Sequence, residues 1–232
     1  MGELVHFELR DAVAVVRMDD GKANAFSHAM LEALGRAMDR AEKEAKAIVL
    51  AGRPERFSGG FDLKVMNQGG PAVPALVLAG ARFAIRVYEC PLPVVIACTG
   101  HALAMGAVLL LAPDLRLGAR GTYKIGLNEV AIGMTLPGFA VELVRERLAP
   151  RHRVRATALA EIYSPEDAIE AGFLDRVVAP AELDAAALAE ASRFAEQLQQ
   201  PAHAATKRRV RAASLEALRR SLDRDLDPLR AD

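Results

Sequence analysis

The sequence has little of what several specialised chemistries require. Two cysteines occur in 232 residues, Cys90 and Cys98, both among apolar neighbours, and they read as reduced core residues with no metal-ligand spacing. The five histidines, His6, His28, His101, His152 and His203, are not spaced as metal ligands either, so no metal site is expected. Charge of neither sign dominates: 30 Lys and Arg face 30 Asp and Glu. That balance argues against nucleic acid or a membrane surface as the main partner. The longest apolar stretch, "HALAMGAVLLLAP" at 101–113, is too short to cross a bilayer. The N-terminus lacks the basic-then-apolar layout of a signal peptide, and a cytoplasmic location is expected. No internal repeat is visible, and no linker rich in Gly, Pro or Ser separates independent domains.

What is present is ample apolar material, 52% of residues, in a pattern that alternates strand and helix. "DAVAVVRMD" (11–19) is a β-branched run ending in a turn signal. The stretch 27–44 spaces Met30, Leu31, Leu34, Met38 and Ala41 as one helix face, with Ser27 as N-cap. Further strands are expected at 46–52, 91–100 and 114–119, with helices near 74–89 and 102–112. Repeated strand–helix–strand order predicts an α/β core with mainly parallel pairing. Beyond about residue 138 helical patterns dominate, apart from a short "LDRVV" at 174–178. Residues 1–180 are assigned to the core, and 181–232 to amphipathic helices of the same structural unit. The basic run "TKRRVR" (206–211) reads as a solvated helix face, or else as a phosphate or partner contact.

Three stretches can carry chemistry. In "RFSGGFDLKVM" (56–66), Ser58, Gly59, Gly60 and Phe61 precede a helix start near Asp62. Glycines there allow close backbone approach, and N–H groups at a helix start can hold an anion; the alternative is an ordinary tight turn. The glycine spacing fits neither a phosphate-binding P-loop nor the dinucleotide fingerprint, and Ser58 is not in a G-x-S-x-G elbow. "CTGHALAMGAVLLLA" (98–112) repeats the layout with Gly100 and Gly106, its alternative being close core packing. Two such turns suggest a pair of backbone donors converging on one oxygen. In "YKIGLNEVAIGM" (123–134), Glu129 stands among apolar residues; it is either a solvated turn residue or a buried carboxylate with a raised pKa. His101 reads as a loop residue, and Tyr123 and Asp114 as structural hydrogen-bonding groups.

Taken in order, "KANAFSHAMLEAL" (22–34), "RFSGGFDLKVM", "GHALAMGAVLLLAPDLRLG" (100–118), "IGLNEVAIGM" (125–134) and "YSPEDAIEAGFLDRVV" (163–178) resemble the crotonase superfamily, the enoyl-CoA hydratase and isomerase group. The resemblance covers nearly the whole chain. It implies a β-β-α spiral core, C-terminal helices that build homotrimers or hexamers, and an acyl-CoA thioester substrate. Coenzyme A would then be part of the substrate, with no separate cofactor.

By motif position, the resemblance places the thioester oxygen on the backbone N–H groups of Phe61 and Met105. The usual residue at the second position is glycine, and Met105 is expected to reshape the pocket. Lys22, Ala23, Ala25, Ser58, Gly59, Gly60, Asp62, Leu63 and Gly106 would line the substrate and CoA path, with Val108 and Phe139 on the pocket wall. Lys22, Arg53 or Lys64 would meet the CoA phosphates. Hydratases of the group use two glutamates; the first falls here on Val108, which cannot act as acid or base, and the second on Glu129. A single carboxylate resembles the Δ3-Δ2-enoyl-CoA isomerases, several of which share "GLNE". Val108, Ile125, Val130 and Ile132 would supply apolar surroundings for Glu129 as the catalytic base. Three activities stay open: isomerisation by Glu129 alone; hydration, thioester hydrolysis or decarboxylation with a further acid such as Asp62 or Glu142; and non-catalytic acyl-CoA binding behind a pocket blocked by Met105 and Phe139.

Overall fold

The computed structural model describes residues 3–226; the end of the expected 181–232 helical region, residues 227–232, lies outside the described residues. The chain opens with β1 (Val5–Arg10) and β2 (Val13–Met18), then α1 (His28–Glu44), β3 (Ala47–Ala51) and β4 (Glu55–Ser58). Helices α2 (Leu63–Gln68) and α3 (Ala72–Glu89) lead to β5 (Val94–Cys98), β6 (Gly100–Leu103), α4 (Met105–Leu110) and β7 (Leu115–Ala119). Next come β8 (Ile125–Gly126), a 3-10 turn (Val130–Ile132), α5 (Gly138–Arg147), α6 (Pro150–Ala156) and β9 (Ile162–Tyr163). The described chain finishes with α7 (Pro165–Ala171), β10 (Arg176–Val178), α8 (Leu183–Gln197), α9 (Gln200–Val210) and α10 (Ala212–Leu226).

Among the described residues ten strands form two sheets, ordered β1-β2-β3-β5-β7-β10 and β4-β6-β8-β9. The pairs β2–β3, β3–β5, β5–β7 and β7–β10 are parallel, as are β4–β6 and β6–β8. The α/β reading with mainly parallel pairing therefore describes both sheets. Strands covered on both faces are apolar throughout, and β3 illustrates it: Ile48 and Leu50 face the main core, whereas Ala47, Val49 and Ala51 face α8. On that second face Ala187, Ala191 and Ala195 repeat every fourth residue, and their small side chains let α8 lie close across the large sheet. The main core is closed by α1, whose Met30, Leu31, Leu34, Met38 and Ala41 are buried, and whose cap is the Ser27 side chain accepting from the Met30 N–H.

Two expected elements differ. The 102–112 segment is not one helix: residues 100–103 pair as β6 between β4 and β8, and α4 starts only at Met105. A continuous apolar run carries no period, so tertiary pairing decides its form. Strand β1 was not anticipated, because as an edge strand pairing only β2 it exposes most of its side chains and shows no clean alternation.

The basic run at 206–211 is not simply a solvated face. Arg208 and Arg209 are exposed, but Lys207 and Arg211 are buried. Lys207 Nζ lies 2.6 Å from Asp114 Oδ2, and Arg211 Nη2 lies 2.9 Å from Asp114 Oδ1. Asp114 also accepts the Val94 N–H at 2.8 Å, and Arg211 stacks 4.3 Å from the Tyr88 ring centroid. This clamp ties α9 to the start of β7.

Candidate active site

Two turns press against each other at the ends of β4 and β6. In the first, Ser58 is wholly buried; its hydroxyl donates to the Asn24 carbonyl at 2.7 Å and accepts the Gly60 N–H at 3.1 Å. The Gly59 N–H donates to the Ala23 carbonyl at 2.8 Å. Gly60 has φ +99, and a Cβ there would stand 2.9 Å from Ala104 Cβ and 3.5 Å from Met105 N. Glycine is therefore required for the two turns to meet.

In the second turn the special conformation falls on Ala104, at φ +49 and ψ −126. Such backbone costs about 1–3 kcal/mol and persists only where the surroundings enforce it. Here the Ala104 N–H is held on the Gly126 carbonyl at 3.1 Å. A Cβ on Gly106 would lie 2.5 Å from the Ser58 carbonyl oxygen, so Gly106 brings α4 against the first turn and acts in packing. On these facing turns the N–H groups of Phe61 and Met105 have no acceptor among the described residues.

Met105, expected to reshape the pocket, does not line it. Its side chain is buried and reaches α3, with Cε 3.5 Å from where a Cβ on Gly80 would stand. The residues lining the cavity lie elsewhere. The cavity is about 240 Å³, with an apolar wall from Leu63, Met66 and Val77 and a second from Ile132, Met134 and Pro137. Gly59, Phe61 and Ala104 bring the two turns to it, and Asn128, Glu129 and Thr135 supply its polar groups. Val108 and Phe139, expected on the wall, are 1% exposed and pack in the core instead. They do not block the cavity.

Glu129 is 8% exposed, which removes the solvated-turn alternative. The 3-10 turn that follows holds it: its carbonyl accepts the N–H groups of Ile132 at 3.1 Å and Met134 at 2.9 Å, and Gly133 at φ +80 closes the turn. Burial raises the pKa of its carboxyl above the ordinary 4.5, because desolvation disfavours the charged form. Its Oε2 has no hydrogen-bond partner among the described residues. Val108 and Ile125 are buried, but Val130 is 45% exposed and is not part of an apolar shell around the acid.

The other expected residues occupy the rim and the scaffold. Asp62 caps α2 by accepting the Lys64 N–H at 2.9 Å and does not line the cavity. Glu142 is engaged by Arg145 at 3.0 Å on α5. Lys22, Ala23 and Ala25 form the loop behind the first turn, and Lys22 and Lys64 are exposed. Arg53 is tied to Asp19 at 3.2 Å and to the Lys22 carbonyl at 3.0 Å. His101 accepts the Lys124 N–H on Nδ1 at 2.9 Å and stacks edge-on with Tyr123.

Sequence reasoning missed Asn24 and Asp20, which organise that loop. Asn24, at φ +50 and fully buried, donates to the carbonyls of Met18 at 3.0 Å and Arg56 at 3.1 Å, while Asp20 accepts the N–H groups of Lys22, Asn24 and Ala25. It also missed Asn128, which shares the cavity with Glu129. The available signals were an Asp followed by Asn four residues on, and a polar residue beside the one acid of an apolar stretch.

The α/β fold thus brings two facing turns and one buried carboxylate to a single cavity. The sequence profile of the enoyl-CoA hydratase/isomerase family matches residues 8–230, and the chain belongs to that family, within the crotonase superfamily. It is similar to mitochondrial enoyl-CoA delta isomerase 1 of Homo sapiens, 29% identical over 230 residues that cover 96% of this chain and 75% of that protein. It is also similar to a probable enoyl-CoA hydratase of Bacillus subtilis, 33% identical over 195 residues that cover 80% of this chain and 73% of that one. Among solved structures, a Mycobacterium tuberculosis protein described both as an enoyl-CoA isomerase and as a probable enoyl-CoA hydratase superposes with TM-score 0.93 at 42% identity, covering 98% of this chain and 99% of that one.

Proposed function

We propose that the protein shifts the double bond of a 3-enoyl-CoA to the 2-position, with Glu129 as the single acid–base. The observation that carries this reading is that, among the described residues, Glu129 is the one ionisable side chain lining the cavity, beside two turns whose Phe61 and Met105 N–H groups have no acceptor there. The Glu129 carboxylate takes a proton from C2; the electrons of that C–H bond pass to the thioester oxygen as an enolate. Phe61 and Met105 N–H groups hold that oxygen, each donor being worth about 3–4 kcal/mol in the transition state. The protonated Glu129 then returns its proton to C4, and the double bond settles between C2 and C3. A carboxyl whose pKa is raised by burial is better matched to this exchange than an ordinary one.

Two observations weigh against the competing reactions. Hydration with two carboxylates lacks its second acid, since Val108 is apolar and neither Asp62 nor Glu142 lines the cavity. Decarboxylation would bring a second negative charge into a cavity that no Lys, Arg or His lines. Lys22 and Lys64, exposed beside the first turn, are the groups best placed for the CoA phosphates. The same reading has the protein act in the cytoplasm as a homotrimer or a dimer of trimers, which sedimentation equilibrium checks.

The test is a pair of assays on purified protein, with a 3-enoyl-CoA and a 2-enoyl-CoA, for wild type and Glu129→Gln. Double-bond migration that disappears in the variant is expected. Substantial water addition to the 2-enoyl-CoA would overturn the single-base reading. Acyl-CoA binding without either reaction would make the protein a carrier.

A further inference from the structure

The cavity holds two oxygen atoms for which the described residues provide no donor. Asn128 Oδ1 and Glu129 Oε2 are both buried, both lack a hydrogen-bond partner among the described residues, and both belong to residues lining the same cavity. One such atom is a familiar feature of an active-site base. Two from successive residues are not accounted for by proton transfer, which needs only the carboxyl. An amide oxygen left unmatched in a buried site costs about 1–3 kcal/mol. Asn128 is not needed to hold the turn either, because the Glu129 carbonyl already takes the N–H groups of Ile132 and Met134.

The chemistry of the pair restricts what can satisfy it. Both atoms are acceptors, and the remaining lining is apolar apart from Thr135 and the backbone of the two turns. The matching group is therefore a donor from outside the chain. It has to be small, because the cavity is about 240 Å³ and must also take an acyl chain. It also has to be uncharged, because Glu129 stands beside it. An anionic group would be repelled, and a C–H surface would leave both oxygens unmatched. A cation is excluded as well, because pairing with Glu129 would spend the charge that the base needs.

We infer that Asn128 Oδ1 and Glu129 Oε2 together receive one O–H group, supplied by a water molecule or by a hydroxyl on the acyl chain near the reacting carbons. This makes Asn128 a positioning and specificity residue, which selects what lies against the catalytic carboxyl. The inference rests on the acyl-thioester reading above for the identity of the ligand. Its tests avoid turnover, so they succeed or fail independently of whether isomerisation is observed.

Calorimetric titration of the purified protein with two unreactive-toward-isomerisation ligands of equal chain length, a saturated acyl-CoA and a 3-hydroxyacyl-CoA, distinguishes the sources. If the substrate supplies the hydroxyl, wild type binds the hydroxylated ligand about tenfold more tightly, as one buried hydrogen bond of about 1.4 kcal/mol requires. Asn128→Leu then brings the ratio to about one, and its binding of the saturated ligand shows that the variant is folded. Asn128→Asp, of the same shape and still an acceptor, keeps the preference should the leucine variant not fold. If water supplies the group, the two ligands bind wild type alike. The Glu129 carboxyl, followed by 13C NMR of glutamate-labelled protein and assigned by its absence in Glu129→Gln, then titrates higher in Asn128→Leu, because a donor to its charged form has been lost. Equal binding of both ligands together with an unmoved titration in Asn128→Leu overturns the inference.

Discussion

Asp114 and Glu129 are both carboxylates withdrawn from solvent, and they are treated in opposite ways. Asp114 has two cations, Lys207 at 2.6 Å and Arg211 at 2.9 Å, and takes the Val94 N–H as well. Among the described residues Glu129 has no cation in its cavity, and one of its oxygens has no hydrogen-bond partner. A buried acid is tolerated when it is paired, and a paired acid is a poor base because its charge is already spent on its partners. The acid that the fold leaves unsatisfied is the one available for chemistry. Burial by itself therefore does not mark a catalytic group; burial without compensation does.

The sharpest way to break the comparison is to neutralise each acid in turn. Glu129→Gln is expected to lower isomerisation by about 10²- to 10⁴-fold, the usual contribution of a general base. Its stability should be unchanged or slightly higher, because an acid that resists charging is replaced by a neutral isostere. Initial rates and urea unfolding on the same preparation check both halves. Asp114→Asn is expected to do the reverse, leaving Lys207 and Arg211 buried without a countercharge at a cost of about 3–5 kcal/mol. Turnover per folded molecule should be retained. A variant of Asp114 that stays stable but loses activity would refute the division of roles.

A smaller effect tests whether Glu129 depends on the turns beside it. Gly60→Ala places a methyl 2.9 Å from Ala104 Cβ at a φ of +99, with an expected loss of about 1–3 kcal/mol from backbone strain alone. Because the turns must separate to admit it, the N–H groups of Phe61 and Met105 move apart and kcat falls more than stability accounts for. Normal kcat in a folded Gly60→Ala protein would show that the two donors do not act together.

Much of this contrast was legible in the sequence, and the parts that were not share a physical cause. Helix α1 with its Ser27 cap, strands β3 and β5 and the glycine turn before Asp62 follow from local period and local turn chemistry. Glu129 was conspicuous as one acid among apolar residues, and Asp114 read as structural. Which way a residue points on an apolar-all-round element is not local. Motif position puts Val108 on the wall, and Phe139 is expected there as a side chain that could block the pocket, yet both face the core. The same ambiguity hid β6 inside an apolar run and concealed the buried half of the basic run 206–211. Glycine is usual at the position of Met105, but the positive φ falls one residue earlier, on Ala104. Asn128 carries no periodic signal, and its role depends on a cavity that only the tertiary structure reveals.

The finest distinction between a compensated and an uncompensated acid is the sign of its effect on stability as pH changes. Asp175 supplies the compensated case: burial pushes its pKa up, but hydrogen bonds and charge from Arg116 outweigh this and hold it below the ordinary 3.8. Its stabilisation is full above the unfolded value and is lost as pH falls through the folded one. For Glu129, burial places the folded pKa above the ordinary 4.5. Between those two values the unfolded chain has already released the proton that the folded protein still holds. Unfolding then releases a proton, so stability falls as pH rises through that window and is flat above it. Melting temperatures recorded from about pH 3 to about pH 7 should therefore show an acid limb and a weaker decline just above the ordinary carboxylate range. Glu129→Gln should remove the decline and leave the acid limb, whereas Asp175→Asn should weaken the acid limb and leave the decline. A decline that survives Glu129→Gln would mean that the unsatisfied carboxyl is ionised in the folded protein at the same pH as in the unfolded chain, and the contrast with Asp114 would lose its energetic basis.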